Sequence, residues 1–230
     1  MPVLHHFSLC PHSRFIRLAM GELQMETTLS ERSPFARDRD FLVMNPAGQL
    51  PVLVEQDGQI VPGAATLAEY LDETRGLVLG ERRLLPENPS MRVEVRRLAE
   101  WFNGKFFAEV AELTLTEKAY KRLFPEGFPG DAPNTTAIRA AGSNIRYHLS
   151  YIGHLAQRRN WLAGDVMSYA DLAAAAQISV VDYFGDVPWE TNEAAKSWYA
   201  RVKSRPSFRP LLADRLKGIL PASHYANLDF

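Results

Sequence analysis

The chain has 230 residues, 46% of them hydrophobic, enough for one large domain or two small ones with a buried core. A formal net charge of −1 gives no ground for a nucleic-acid partner or an anionic membrane, and no stretch approaches the roughly 18 charge-free apolar residues of a membrane span. The single cysteine, Cys10, excludes an internal disulfide and a cysteine-rich metal site; with no signal-like segment at the start, a soluble cytoplasmic protein is expected.

In chain order, Val3-Leu4-His5-His6-Phe7 reads as a strand. Cys10-Pro11 opens a helix through Arg14, Ile16, Leu18 and Ala19, with proline where a missing N–H costs nothing. Thr27-Thr28-Leu29 reads as a second strand, and the stretch from Pro34 to Met44 as a charged loop with one short helix. Asp57-Gly58 between two apolar runs is a two-residue hairpin signal, and a helix with Leu67, Tyr70 and Leu71 on one face follows it. The order β-α-β-α-β-β-α over residues 1–75 is that of a thioredoxin-like domain.

Gly76, Gly80, Pro86 and Pro89 interrupt the pattern and mark a linker over 76–89. A helix is then expected over 91–115, with Val95, Leu98, Trp101, Phe102, Phe106 and Val110 at helical spacing. Beyond a run of prolines and glycines, helices are expected from about Asn134 to Gln157, from Ser168 to Val180, and near 193–203 and 207–216. Residues 90–216 thus form an all-helical domain, and 217–230 a tail without a clear period.

Several of these segments together resemble the glutathione transferases. Asn45-Pro46-Ala47-Gly48-Gln49-Leu50-Pro51-Val52-Leu53 resembles the family segment that ends in a cis proline, here Pro51. The resemblance implies that the N–H and C=O of Leu50 are turned to pair with a peptide-like ligand. Leu85-Pro86-Glu87-Asn88-Pro89 followed by Arg92 and Arg96 is similar to the family's passage into its helical domain. In Gly164-Asp165-Val166-Met167-Ser168-Tyr169-Ala170-Asp171, Ser168 would cap the central helix and Asp171 would return the bond. Trp198-Tyr199-Ala200-Arg201 and Arg205-Pro206-Ser207-Phe208 match the penultimate helices. The likeness spans nearly the whole chain. It implies a thioredoxin-like α/β domain followed by an all-α bundle, and subunits paired as a homodimer. It does not fix function, because a fold hosts many activities.

In the family the catalytic hydroxyl or thiol sits after the first strand, where this chain has Ser8-Leu9-Cys10-Pro11-His12-Ser13-Arg14. A thiol at a helix start is more acidic and more nucleophilic, and His12 and Arg14 lie nearby to add to that. Cys10 is equally readable as a half-buried replacement for a capping serine, with Ser8 and Ser13 as turn and cap residues. The second half of the family site, an acidic residue or Gln followed by Ser, falls on Gly63 and Ala64. These keep backbone N–H groups at a helix start but supply neither hydroxyl nor carboxylate. Two lost contacts of about 1–2 kcal/mol each weaken glutathione binding roughly 30- to 1,000-fold. Other features read as structural: Trp101, Phe102, Phe106 and Phe107 as packing, Arg139, Arg146, Arg158 and Arg159 as a solvated face, and His5 and His6 as too few to hold a metal.

Two segments are unusual for a self-contained enzyme. Phe35 stands among alternating charges from Arg32 to Asp40, and the tail keeps Tyr225, Asn227, Leu228, Asp229 and Phe230, large groups where disposable termini are polar. The tail either clasps the body or engages another protein. These features, with the degenerate Gly63-Ala64 site, are similar to those of glutathione-transferase-like proteins of bacterial cell division. The resemblance implies a non-catalytic adaptor at the division site, without a cofactor, that binds filaments of the tubulin-like protein FtsZ and promotes constriction. Phe35 stands where a bulkier aromatic is expected, and Cys10 where a serine is. The alternative is a glutathione-dependent transferase or thiol reductase using Cys10.

Overall fold

The computed structural model describes residues 1–128 and 132–228. Strand β1 (Val3–His6) leads into helix α1 (Pro11–Glu22), β2 (Thr28–Glu31) and the short α2 (Arg39–Met44), whose first turn is capped by Asp38. Strands β3 (Val52–Val54) and β4 (Ile60–Pro62) form the hairpin around Gly58, whose φ of 89° suits glycine, and α3 (Ala64–Arg75) follows. The sheet order is β2-β1-β3-β4, with β1 and β2 parallel and the other pairs antiparallel. This mixed sheet, crossed by α1 and α3, is the thioredoxin-like domain.

The helical domain begins at α4 (Pro89–Glu100), with the Asn88 side chain accepting from the Ser90 and Met91 amides. The helix expected over 91–115 is longer. It runs on from Glu100 to Leu123 without leaving helical backbone angles, through wide π-type turns over Trp101–Ala111 and Thr116–Tyr120, and stops where Phe124 turns to φ −131°. Next come α5 (Thr135–Ala156), capped by Asn134, then α6 (Tyr169–Tyr183) and α7 (Glu193–Lys203). All of α6 is buried, and its run Ala173-Ala174-Ala175-Ala176 lets α1 and the wide-turn helix approach closely. The Ser168 hydroxyl accepts from the Ala170 amide at 3.3 Å. The buried Asp171 carboxylate accepts from the Ser168 amide at 3.0 Å and from Leu162 N and Trp198 Nε1, both at 2.9 Å. The Asp165 carboxylate accepts from the Asn160 side-chain amide at 3.4 Å.

The helix expected over 207–216 is not continuous. A 3₁₀ turn (Pro206–Phe208) leads to α8 (Arg209–Leu212) and no further. The Leu211 carbonyl, which would propagate the helix, accepts instead from Arg14 and Tyr225, and the Asp214 carboxylate is drawn onto Arg14 and Arg17 of α1. Two apolar cores result. The larger joins α1, α3, α4, α5, α6 and α7 across both domains; the smaller gathers Phe7, Leu9, Cys10, Leu50, Tyr120, Tyr183, Leu216, Ile219 and Tyr225. Among the described residues no helix is long and apolar enough to cross a membrane, and no group of side chains could hold a metal ion.

Candidate functional site

The β1–α1 corner is a tight turn closed by the Cys10 amide on the Phe7 carbonyl at 2.9 Å. Cys10 occupies the N-cap of α1 but caps nothing with its side chain, and only 8% of its surface is exposed. Its thiol faces the smaller core. One turn into α1, the His12 ring crosses toward the helical domain, donating from Nε2 to the Asn103 carbonyl at 2.9 Å and packing edge-on to Phe107, 4.6 Å between centroids. Because a carbonyl only accepts, Nε2 carries a proton, which leaves Nδ1 as the ring nitrogen not engaged with Asn103. Burial works against the charged form of both groups. The mutual hydrogen bond and charge outweigh it, with help from Ser13 at the thiol and Asn103 at the imidazole: the Cys10 pKa is lowered and the His12 pKa is raised. Both shifts run toward a thiolate beside an imidazolium, and the thiolate is the nucleophilic form of a cysteine. Arg14, expected beside Cys10, turns the other way, toward the tail. The Ser8 hydroxyl is held by Glu31 Oε1 at 2.6 Å.

The opposite wall is the start of α3. The Leu50–Pro51 peptide is cis, and the N–H and C=O of Leu50 take no partner among the described residues. Gly63 sits at φ +85°, ψ 140° with nothing within 4 Å of where a Cβ would lie. The sequence expectation that its N–H serves an anion is overturned, because that N–H donates to the Pro51 carbonyl at 3.0 Å. The unpaired donors at the helix start are the amides of Ala64, Ala65 and Thr66. Ala64, Thr66, Glu69 and His12 face Arg96, Asn103 and Gly104 across an interdomain cleft of about 830 Å³. Arg96 and Glu69 close one side of it with two hydrogen bonds of 2.8 Å. The scaffold thus offers a peptide-like ligand the Leu50 backbone and three amides. At Gly63 and Ala64 it offers no side-chain oxygen. Cys10 does not line this cleft; it lies behind His12 in the smaller core.

The two segments singled out as partner surfaces meet that same core. The Phe35 ring is not free: it packs edge-on to Tyr120, Phe124 and Phe128, at 5.2, 5.3 and 5.4 Å, tying the charged loop to the end of the wide-turn helix and leaving 37% of the residue exposed. Tyr225 is fully buried. Its hydroxyl accepts from Arg14 Nη1 at 2.8 Å and donates to the Leu211 carbonyl at 3.1 Å, so this residue belongs to the clasp rather than to an exposed surface. Beside it His224 donates from Nε2 to Asp182 at 3.1 Å, and the Ala222 amide reaches the Tyr183 carbonyl at 2.8 Å. Asn227 is exposed and Leu228 half-buried; Asp229 and Phe230 lie outside the described residues. Sequence reasoning did not foresee Arg14 and Asp182 as the anchors of this tail, and a charged residue inside an otherwise apolar helix face was the only signal of either.

The model of the glutathione S-transferase N-terminal domain matches residues 4–82. Over a match 230 residues long the chain is 46% identical to FtsZ-localized protein A of Caulobacter vibrioides (strain NA1000 / CB15N), covering 99% of this chain and 97% of that protein. A crystal structure described as a glutathione S-transferase from Sinorhizobium meliloti 1021 superposes with a TM-score of 0.96 at 50% identity over all of both chains. The structure of FzlA from C. crescentus superposes at 0.92 with 45% identity, covering 100% of this chain and 99% of that one. A thioredoxin-like sheet with its cis proline, a capped and buried central helix, and relatives that match from end to end all agree: the chain belongs to the glutathione S-transferase superfamily.

Proposed function

We propose that this protein is a non-catalytic glutathione-transferase-fold adaptor of bacterial cell division that binds FtsZ filaments and promotes constriction. The observation that carries the reading is the 46% identity, over essentially the full length of both chains, to a protein named for its localisation with FtsZ. The bare start of α3 supports it, because a site without the Gly63 and Ala64 side-chain oxygens has lost the contacts that would retain glutathione at low concentration. In this reading the protein is a cytoplasmic homodimer at the division site and needs no cofactor. Its two identical faces engage neighbouring filaments, which adds avidity without new contacts. The contact residues are Phe35, Asn227, Leu228, Asp229 and Phe230, with Tyr225 fixing the tail to the body. The test is co-sedimentation with purified FtsZ under polymerising conditions. The protein is expected in the pellet only when filaments form; its absence there overturns the adaptor.

A second reading is favoured by one specific observation, the Cys10–His12 pair. A nucleophilic thiol at a helix start next to a buried imidazole is the equipment of a glutathione-dependent thiol reductase or transferase. Calorimetric titration with millimolar glutathione separates the two: clear saturation favours the enzyme, and no heat of binding leaves the adaptor.

A further inference from the structure

The Arg14 guanidinium is completely buried, and all five of its N–H groups are used. Nε donates to the Ser8 carbonyl at 2.7 Å; Nη1 donates to Ser179 Oγ at 2.9 Å and Tyr225 Oη at 2.8 Å; Nη2 donates to Asp214 at 3.1 Å and the Leu211 carbonyl at 3.5 Å. Three of the five acceptors belong to the segment after the last long helix. A fourth, Ser8, belongs to the turn that carries Cys10. A buried guanidinium does not tolerate an empty donor position, so a change at one acceptor is felt at the others. The chain of contact is short: the Tyr225 hydroxyl, the Arg14 guanidinium, the Ser8 carbonyl, and the turn closed from Cys10 N to Phe7 O. Apolar packing follows the same route, since Tyr225, Leu216 and Ile219 share the smaller core with Cys10 and Phe7.

We propose that the C-terminal tail is a strap over the β1–α1 corner: docked through Tyr225 and Arg14 it keeps Cys10 covered, and its release opens the thiol to small electrophiles and disulfides. The strap lifts as a local unit while the two domains stay folded, because its fixings are concentrated at Arg14, Asp182 and Tyr183. The inference is independent of whether FtsZ is the partner.

Alkylation by iodoacetamide tests it, the Cys10 sulfur attacking the reagent carbon as iodide leaves. Cys10 is the only cysteine, so the rate reads this corner alone. Tyr225→Phe keeps the ring and removes the hydroxyl. It is expected to raise the alkylation rate at least roughly fivefold, with a melting temperature still above the assay temperature, while the exposed-site control Leu220→Ala, at a residue 84% exposed, stays at the wild-type rate. In wild-type protein at low urea, the rate is expected to rise with a slope well below that of global unfolding, the mark of a sub-global opening. This second measurement decides the matter even if Tyr225→Phe fails to fold. A Tyr225→Phe rate within about twofold of wild type, an equal acceleration by Leu220→Ala, or a wild-type slope equal to that of global unfolding each overturns the strap.

Discussion

The start of α3 and the β1–α1 corner that faces it through His12 differ sharply in what they present. The start of α3 is bare: glycine and alanine stand where the resemblance places an acid and a hydroxyl, and only backbone amides remain. The β1–α1 corner is crowded with polar groups, each matched to a partner: Cys10 with His12, His12 with Asn103, Arg14 with five acceptors. The α3 start offers a ligand backbone amides alone, while the polar groups of the corner are taken up by packing, by the tail and by one another.

Breaking the crowded wall is expected to have the largest effect. Arg14→Met strips the charge from acceptors that remain buried and should cost about 3–5 kcal/mol of stability, measured by urea denaturation. On the bare wall, Gly63→Glu forces a side chain onto a φ of +85° and should cost about 1–3 kcal/mol, although the space around it is open. Ala64→Ser returns one hydroxyl without that strain and should raise glutathione affinity roughly tenfold by calorimetry, the worth of one good hydrogen bond. An unchanged affinity would mean that α3 is not a ligand wall at all.

Smaller effects sharpen the role of the corner. The His12 hydrogen bond and charge are the main groups that oppose burial and lower the Cys10 pKa. In wild type the thiolate should therefore persist as pH falls, and the alkylation-against-pH profile should lie below that of a free thiol. His12→Asn leaves burial unopposed by that pair and should move the midpoint upward. A profile that does not move would separate the two side chains functionally. Least of all should change in FtsZ co-sedimentation of Cys10→Ser, where the adaptor reading expects the same pelleted fraction as wild type.

Much of the architecture is legible in the sequence because its signals are local. Asp57-Gly58 specifies a hairpin, Asn134 and Ser168 specify helix starts, and the alternation of the first 75 residues specifies the sheet. What was not legible depends on groups far apart in the chain. The wide turns that carry Asn103 toward His12 leave no mark in hydrophobic spacing over 91–115, which reads as an ordinary helix. Helix propensity over 207–216 loses to Arg14, which takes the Leu211 carbonyl, nearly two hundred positions away. Sequence leaves the tail open between clasp and partner surface and gives Phe35 as an anchor without its packing, because composition shows that a ring is present and does not show that Tyr120 or Arg14 is waiting for it. The emptiness at Gly63 and Ala64 was visible from residue identity alone, yet the diversion of the Gly63 amide to Pro51 was not.

The Arg14–Tyr225 bond also sets a clock. Its partners lie 211 positions apart, and at typical rates of chain synthesis that separation is roughly 10–40 s. Throughout that interval the N-terminal sheet is available to fold, but the guanidinium on α1 has neither Asp214 nor Tyr225 and must stay hydrated. The smaller core, which needs residues from both ends of the chain, closes only when the tail arrives. The contacts of Tyr225 are then among the last this core makes, and until they form a nascent molecule holds its Cys10 corner without the strap.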